Sequence, residues 1–355
     1  MASAVTARPL PPLPQFKGRP GWEFTDLSGI DIDAFAPADP DGAGDIEHPL
    51  LGTVVPAGDP FVARNDAGRA GGGTLIHVPA GERLEAQRLR TVQSETGTAL
   101  NHRLLIVLEE GAEAEVWEEH LTADAHVEAL LNTVVEIVVG PNARLRYVSV
   151  QDLSPKSYVF GTQRAVVDQS GSLEWVALGF GGKTGRVSME TQLRGAGAEA
   201  RVTGAYATGG RQHVDFDTLQ EHAAPNTTSD LAFRGVLAGR SSSVWRGMIK
   251  VDPGAQQTDA FQDNRNLLLS KKAHADAIPG LEILANDVRC THAAAIAQID
   301  KDQLFYLRSR GLPEAVSKRL VIEGFMQELV ERFEEGPIRE ALGGALERRL
   351  GVLLD

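Results

Sequence analysis

Four short runs share one plan: Gly111-Ala112-Glu113-Ala114-Glu115-Val116, Gly140-Pro141-Asn142-Ala143-Arg144-Leu145, Gly197-Ala198-Glu199-Ala200-Arg201-Val202 and Gly239-Arg240-Ser241-Ser242-Ser243-Val244. Each opens on a glycine, crosses small or polar residues and reaches an apolar residue that starts a β-like run. The turn glycines 111, 140, 171 and 197 are spaced by 29, 31 and 26 residues. A loose period in that range marks stacked repeats, in which no single unit buries its apolar face alone.

Working outward, the same texture fills the chain from about Gly71 onward. Runs such as Thr74–Val78, Leu104–Leu108, Val134–Val139, Leu145–Val150, Leu173–Phe180 and Ala200–Ala205 alternate with glycine punctuation, and no helical period intervenes. A β-sandwich would also give short strands between turns. The length of the stretch and its uniform composition favour a parallel β-solenoid. Past Cys290 the pattern changes. Asp300 and Gln303 have capping-box spacing, Gly311 can end a helix and Pro313 can start the next. Val321, Phe325, Leu329 and Phe333 recur every four residues, beside a second stripe of Ile322, Met326 and Val330. Gly336-Pro337 breaks that helix, and Ile338, Leu342, Leu346 and Leu350 form a further stripe. The expected organisation is an N-terminal, partly flexible segment (1–70), a β core (71–295) and a helical region (296–355). Five prolines among residues 1–20 exclude a helix there, and residues 36–49 read as a loop.

Composition narrows the function classes. The 355 residues carry a formal net charge of −13, with no basic run, so a nucleic-acid backbone is a poor partner. The lone cysteine excludes a disulfide framework within the chain and any multi-cysteine zinc site. The N-terminus has no apolar stretch of signal-peptide kind, and no run is long enough to span a membrane, so the expected location is the cytoplasm.

Several motifs suggest chemistry. Gly181-Gly182-Lys183-Thr184 looks like the end of a phosphate loop, but it lacks the earlier glycine and runs into strand-like alternation. Gly195, Gly197 and Ala200 fit a dinucleotide fingerprint and also precede a strand. His213, Asp215 and Asp217 would share one strand face near His222, as a metal site or as a hydrogen-bonded ladder. Cys290 and His292 also share a face, and thiolate with imidazole is a ligand pair for iron and its clusters. Two ligands are too few, so a second chain would have to complete that site. No catalytic triad, nucleophile elbow or acid–base pair stands out, and a non-enzymatic role is expected.

The stretch Arg265 to Gly311 resembles the SufB/SufD family. It contains Asn264-Arg265-Asn266-Leu267-Leu268-Leu269-Ser270, then Pro279-Gly280-Leu281-Glu282-Ile283, Asp287-Val288-Arg289-Cys290-Thr291-His292 and Asp302-Gln303-Leu304-Phe305-Tyr306-Leu307-Arg308-Ser309-Arg310-Gly311. Ala224 to Asp230 and Thr258 to Gln262 agree with it. The resemblance covers roughly residues 71–335. It implies a right-handed parallel β-helix with a C-terminal helical region, and a scaffold role in iron–sulfur cluster assembly by the SUF system. It further implies pairing with a SufB-like paralogue and docking of a SufC-like ABC ATPase on the C-terminal helices, for which Val321, Phe325, Leu329 and Phe333 are the candidates. His292, with Cys290, would hold iron or a nascent cluster transiently at the paralogue interface, with no stably bound cofactor. Ala273 stands where SufB-type chains carry a cysteine, which points to the SufD type. An isolated solenoid end could also pair with a second copy. The competing reading is a β-helix polysaccharide lyase or hydrolase.

Overall fold

The computed structural model describes residues 10–14, 22–38, 44–69, 72–333 and 336–354. The expectation for residues 1–20 therefore falls largely outside the described residues. In chain order the strands are β1 (Ala36–Ala38), β2 (Gly44–Asp45), β3 (Gly72–Val78), β4 (Gln87–Gln93), β5 (Thr98–Leu108), β6 (Glu113–Thr122), β7 (Leu130–Val139), β8 (Arg144–Asp152), β9 (Tyr158–Val167), β10 (Ser172–Gly179), β11 (Thr184–Leu193), β12 (Glu199–Thr208), β13 (His213–His222), β14 (Thr228–Leu237), β15 (Ser242–Val251), β16 (Asp259–Leu268), β17 (His274–Ile283) and β18 (Arg289–Gln298). The α-helices are α1 (Pro60–Gly68), α2 (Lys301–Ser309), α3 (Glu314–Val330) and α4 (Pro337–Leu354).

From β3 onward, odd-numbered strands stack into one parallel sheet and even-numbered strands into a second. Each coil contributes one strand to each sheet, giving a parallel β-solenoid of about eight turns. The register is in step over long distances: Arg186 lies beside Asp215, and His213 beside Ser242, each 29 residues on.

The turn glycines seen in the sequence are only part of the repeating corner. The slot with positive φ is filled in successive coils by Gly81, Gly111, Asn142, Ser170, Gly197, Asn226 and Gln257. Each of their amides donates to a carbonyl of the next coil, as Gly111 does to Pro141 and Asn142 to Gln169. Gly140 and Gly171 sit one or two residues from the slot, which explains the uneven intervals. Gly195 is needed for another reason: a Cβ there would lie 1.9 Å from the amide nitrogen of Gln169 on the preceding coil.

Alternate residues of both sheets point into a lumen filled by Leu104, Ile106, Val135, Ile137, Tyr147 and Trp175, with further apolar side chains on later coils. Toward the later coils the filling is aromatic. Tyr206 stacks on Phe216 at 5.8 Å, Phe216 meets Phe233 at 5.4 Å, and Phe233 meets Trp245 at 6.2 Å. Gly204 makes room for this row, since a Cβ would come within 2.1 Å of the Phe233 ring.

Both outer faces are covered, from opposite ends of the chain. The N-terminal segment lies on the first sheet. Trp22 stacks on Phe61 of α1, and Phe61 on Phe160 of β9. Residues 36–49 were expected to be a loop, yet β1 pairs with β5, and β2 with β3. Asp59 caps α1 through the amides of Phe61 and Val62. Beneath this segment Arg103 pairs with Glu136, both fully buried, and Glu136 also accepts from the amides of Gly52, Val54 and Val55. The C-terminal helices lie on the second sheet. Ile322, Met326, Leu329, Leu342, Leu346 and Leu350 pack against Val176, Phe180, Ala205 and Val236. Among the described residues no helix is long and apolar enough to cross a membrane.

Candidate functional site

The last coil ends the stack on β17 and β18, and no strand pairs with their far edges among the described residues. Its inward-pointing ladder can be read from the coil before it. Leu281 and Ile283 pair in register with Ile249 and Val251, and Cys290 and His292 with Ala260 and Gln262. All four of those neighbours are buried. Their counterparts on the last coil have nothing stacked on them. Leu281, Ile283 and His292 are therefore exposed, and Cys290 is half-buried. The lumen opens here onto an apolar rim that includes Leu284 and Ile296.

Cys290 and His292 thus lie on one face, as their spacing requires. Cys290 packs against Ile249, Val251 and Ala260. Burial, and then the charge of Asp259, push its thiol pKa up. It is held as a thiol, the weakly reactive form, until a cation or base arrives. The His292 side chain is exposed and has no hydrogen-bond partner among the described residues. The neighbouring His274 approaches Asp276 at 3.1 Å.

The helical stripe is divided in its use. Leu329 and Phe333 are buried against the chain's own second sheet, while Val321 and Phe325 are half-buried. Phe333 lies beyond the end of α3 at Val330. The side chain of Ile338 lies outside the described residues. The apolar surface that these helices present to solvent is a different set: Phe305 and Tyr306 on α2, and Val316 and Leu320 on α3. Asp300 caps α2, through the amide of Asp302 and not through a bond to Gln303.

With this geometry in view, comparison with known proteins is direct. The family model described as "SUF system FeS cluster assembly, SufBD core domain" matches residues 90–325. The chain belongs to the SufB/SufD family. Among relatives, an iron–sulfur cluster assembly SufBD family protein of Mycobacterium tuberculosis is 34% identical over 270 residues, covering 74% of this chain and 66% of the relative. A SufBD family protein of Mycobacterium leprae is 34% identical over 226 residues, covering 61% of this chain and 58% of the relative. The iron–sulfur cluster assembly protein SufD of Bacillus subtilis is 30% identical over 282 residues, covering 79% and 64%. The chain thus spans between 58% and 66% of the length of these relatives.

In this SufB/SufD chain the other motifs resolve into structure. Gly181 to Thr184 is a turn into β11, with Lys183 Nζ 3.2 Å from the Tyr158 hydroxyl, and no helix follows to aim amides at a phosphate. Gly195 and Gly197 form the corner into β12. The carboxylates of the β13 ladder are taken by guanidinium groups. Arg186 bridges Asp215 (2.5 Å) and Asp217 (2.7 Å), Arg246 also holds Asp217 (2.6 Å), and Thr25 donates to Asp215 (2.6 Å). His222 points to the opposite face, into the interior, where its nitrogens meet Thr227 and Ser229.

One cluster escaped the sequence reading. His102 on β5 and Glu118 and His120 on β6 converge inside the lumen, with all three side chains buried. Burial raises the Glu118 pKa, but the two imidazoles outweigh it and hold the carboxyl well below its usual range. The Tyr147 phenol donates to the same carboxylate, and burial together with that charge pushes the phenol well above its ordinary value. The only local signal was Glu-x-His at the inward parity of a strand. The third member comes from the preceding strand, at no fixed spacing.

Proposed function

We propose that this chain is a SufD-type scaffold subunit of a cytoplasmic SUF complex, whose open coil meets a SufB-like paralogue end to end. The observation that carries the reading is the uncapped lumen. Four inward-parity residues, Leu281, Ile283, Cys290 and His292, lack the next coil that would bury them. An apolar rim around an unpartnered imidazole suits a second solenoid end bringing a thiolate, which would complete a ligand set that two residues cannot make alone. Buried Ala273, just before β17, supports assignment to the SufD type, because SufB-type chains carry a cysteine there. In this scheme iron and sulfide are cargo, held between His292, Cys290 and the partner.

A SufC-like ATPase would dock on the exposed apolar face of α2 and α3, at Phe305, Tyr306, Val316 and Leu320. Because Leu329 and Phe333 serve the internal core, this face replaces the stripe beginning at Val321 as the principal contact surface. ATP-driven movement of the helices would then shift the open coil relative to the paralogue.

The test is anaerobic affinity purification of the tagged chain from its host, with mass spectrometry of the co-eluting proteins. Recovery of an ABC-type ATPase and a SufB-like paralogue in fixed stoichiometry is the expected result. Recovery of the chain alone overturns the reading. His292→Ala, which removes an exposed side chain, should leave the fold and partner recovery unchanged and lower cluster formation by tenfold or more.

A further inference from the structure

The histidine pair inside the lumen has a hydrogen-bond pattern that leaves it short of a cation. The Thr91 hydroxyl lies 2.6 Å from His120 Nδ1. Across the ring from it, His120 Nε2 lies 3.3 Å from Glu118 Oε1 without an aligned hydrogen bond to it. On the other side His102 Nε2 lies 2.6 Å from the same oxygen, close enough for a hydrogen bond but not aligned for one. Four buried atoms, both His102 nitrogens, His120 Nε2 and Glu118 Oε1, consequently have no hydrogen-bond partner. Orphaned polar atoms in a packed interior are rare and costly, and here one from each of the three residues meets the others within 4.8 Å.

We propose that His102, Glu118 and His120 bind one divalent first-row transition ion, zinc or iron(II), inside the solenoid. One ligand atom from each residue lies within 4.8 Å of the others. Two imidazoles and a carboxylate are a common donor set for these ions. Tetrahedral bonds of about 2.1 Å place ligand atoms roughly 3.4 Å apart. The His120–Glu118 separation already fits. His102 needs to swing back by about 0.8 Å, which relieves its misaligned contact. The supporting contacts are in place, since Thr91 holds His120 at Nδ1 and Tyr147 anchors the other oxygen of Glu118. His120 also lines an internal cavity of about 30 Å³, alongside Thr133, Ser149, Gln151 and Gln163. That volume is enough for one water beside His120. The site lies on β5 and β6, at the opposite end of the stack from Cys290 and His292, and is independent of the proposed partnership.

The experiment is metal analysis of the full chain, purified without chelator, by inductively coupled plasma mass spectrometry. Protein grown in Co²⁺-supplemented minimal medium then supplies the absorption spectrum. About one equivalent of zinc or iron per chain is expected, and the measured element identifies the ion. Cobalt protein should show the intense visible bands of a four-coordinate site. Glu118→Gln and His120→Gln should each reduce occupancy at least tenfold, whereas the double variant Cys290→Ser, His292→Ala should retain it. Should the lumen variants fail to fold, X-ray absorption of the wild-type chain decides. Two imidazoles and oxygen around the ion support the site, and sulfur in the shell overturns it. Occupancy below half an equivalent in the wild type, or undiminished binding in both lumen variants, also overturns it and leaves a cluster held by protons.

Discussion

Single residues inside the lumen set how stability responds to pH. Burial lowers the His222 pKa to about 4, where an unfolded chain titrates near 6.5. Between those values the unfolded state binds the extra proton, so stability falls as pH drops from 6.5 toward 4 and is fully retained above 6.5. The contribution lost by pH 4.5 is about 2–3 kcal/mol. Denaturant titrations of the wild type and His222→Gln at pH 7 and pH 4.5 should show a smaller acid loss in the variant by about that amount. Equal losses in both proteins would show that His222 is protonated without penalty. Arg103 gives a second test. Replacing it with Met leaves Glu136 buried and uncompensated, at a cost of about 3–5 kcal/mol. Glu136 also holds the amides at 52–55, so limited proteolysis should cut first near that segment. A variant as resistant as the wild type would contradict the assignment.

At the level of elements, glycines that look alike in sequence have opposite consequences. Gly195→Ala forces a Cβ into the Gln169 backbone and should destabilise by about 2–3 kcal/mol. Gly324 lies exposed in mid-α3 with nothing within 4 Å of a Cβ, and Gly324→Ala should stabilise by up to about 1 kcal/mol. Thermal unfolding of the two variants should move in opposite directions, and a common direction would refute the distinction. The solenoid was legible because its corners recur: Gly111 and Gly197 announce a slot whose other occupants, such as Asn142 and Ser170, carry no visible mark. The Cys290–His292 pair was legible because i and i+2 share a strand face wherever the strand goes. The His102–Glu118–His120 cluster was not, because its members meet across two strands of a coil. The N-terminal pairings β1–β5 and β2–β3 were missed because two or three paired residues leave no periodic trace. The stripe from Val321 reads in sequence as a helical docking face, yet α3 ends at Val330, before Phe333. Sequence alone could not say that the chain's own second sheet covers the end of it.

For the molecule as a whole, the unequal ends matter most. The early coils are covered by residues 22–38 and 44–69, whereas the last coil shows Leu281, Ile283, Leu284 and Ile296 to solvent. An unpaired parallel edge with an apolar rim favours association. The isolated chain should self-associate as its concentration rises, and Ile296→Lys should shift sedimentation velocity profiles to the monomer without lowering the melting temperature. A wild type that stays monomeric at high micromolar concentration would show that the rim alone does not drive pairing.

The placement of α3 and α4 bears on how the chain is made. Coils leave the ribosome in order, and each completed coil can template the strands of the one that follows it. The helices that cover Val176 and Phe180 emerge much later, however, after those side chains have waited uncovered through the synthesis of more than a hundred residues. The nascent chain therefore carries an open apolar stripe until α3 and α4 are made. A holding chaperone bound to that stripe would be displaced only when α3 and α4 arrive to take its place.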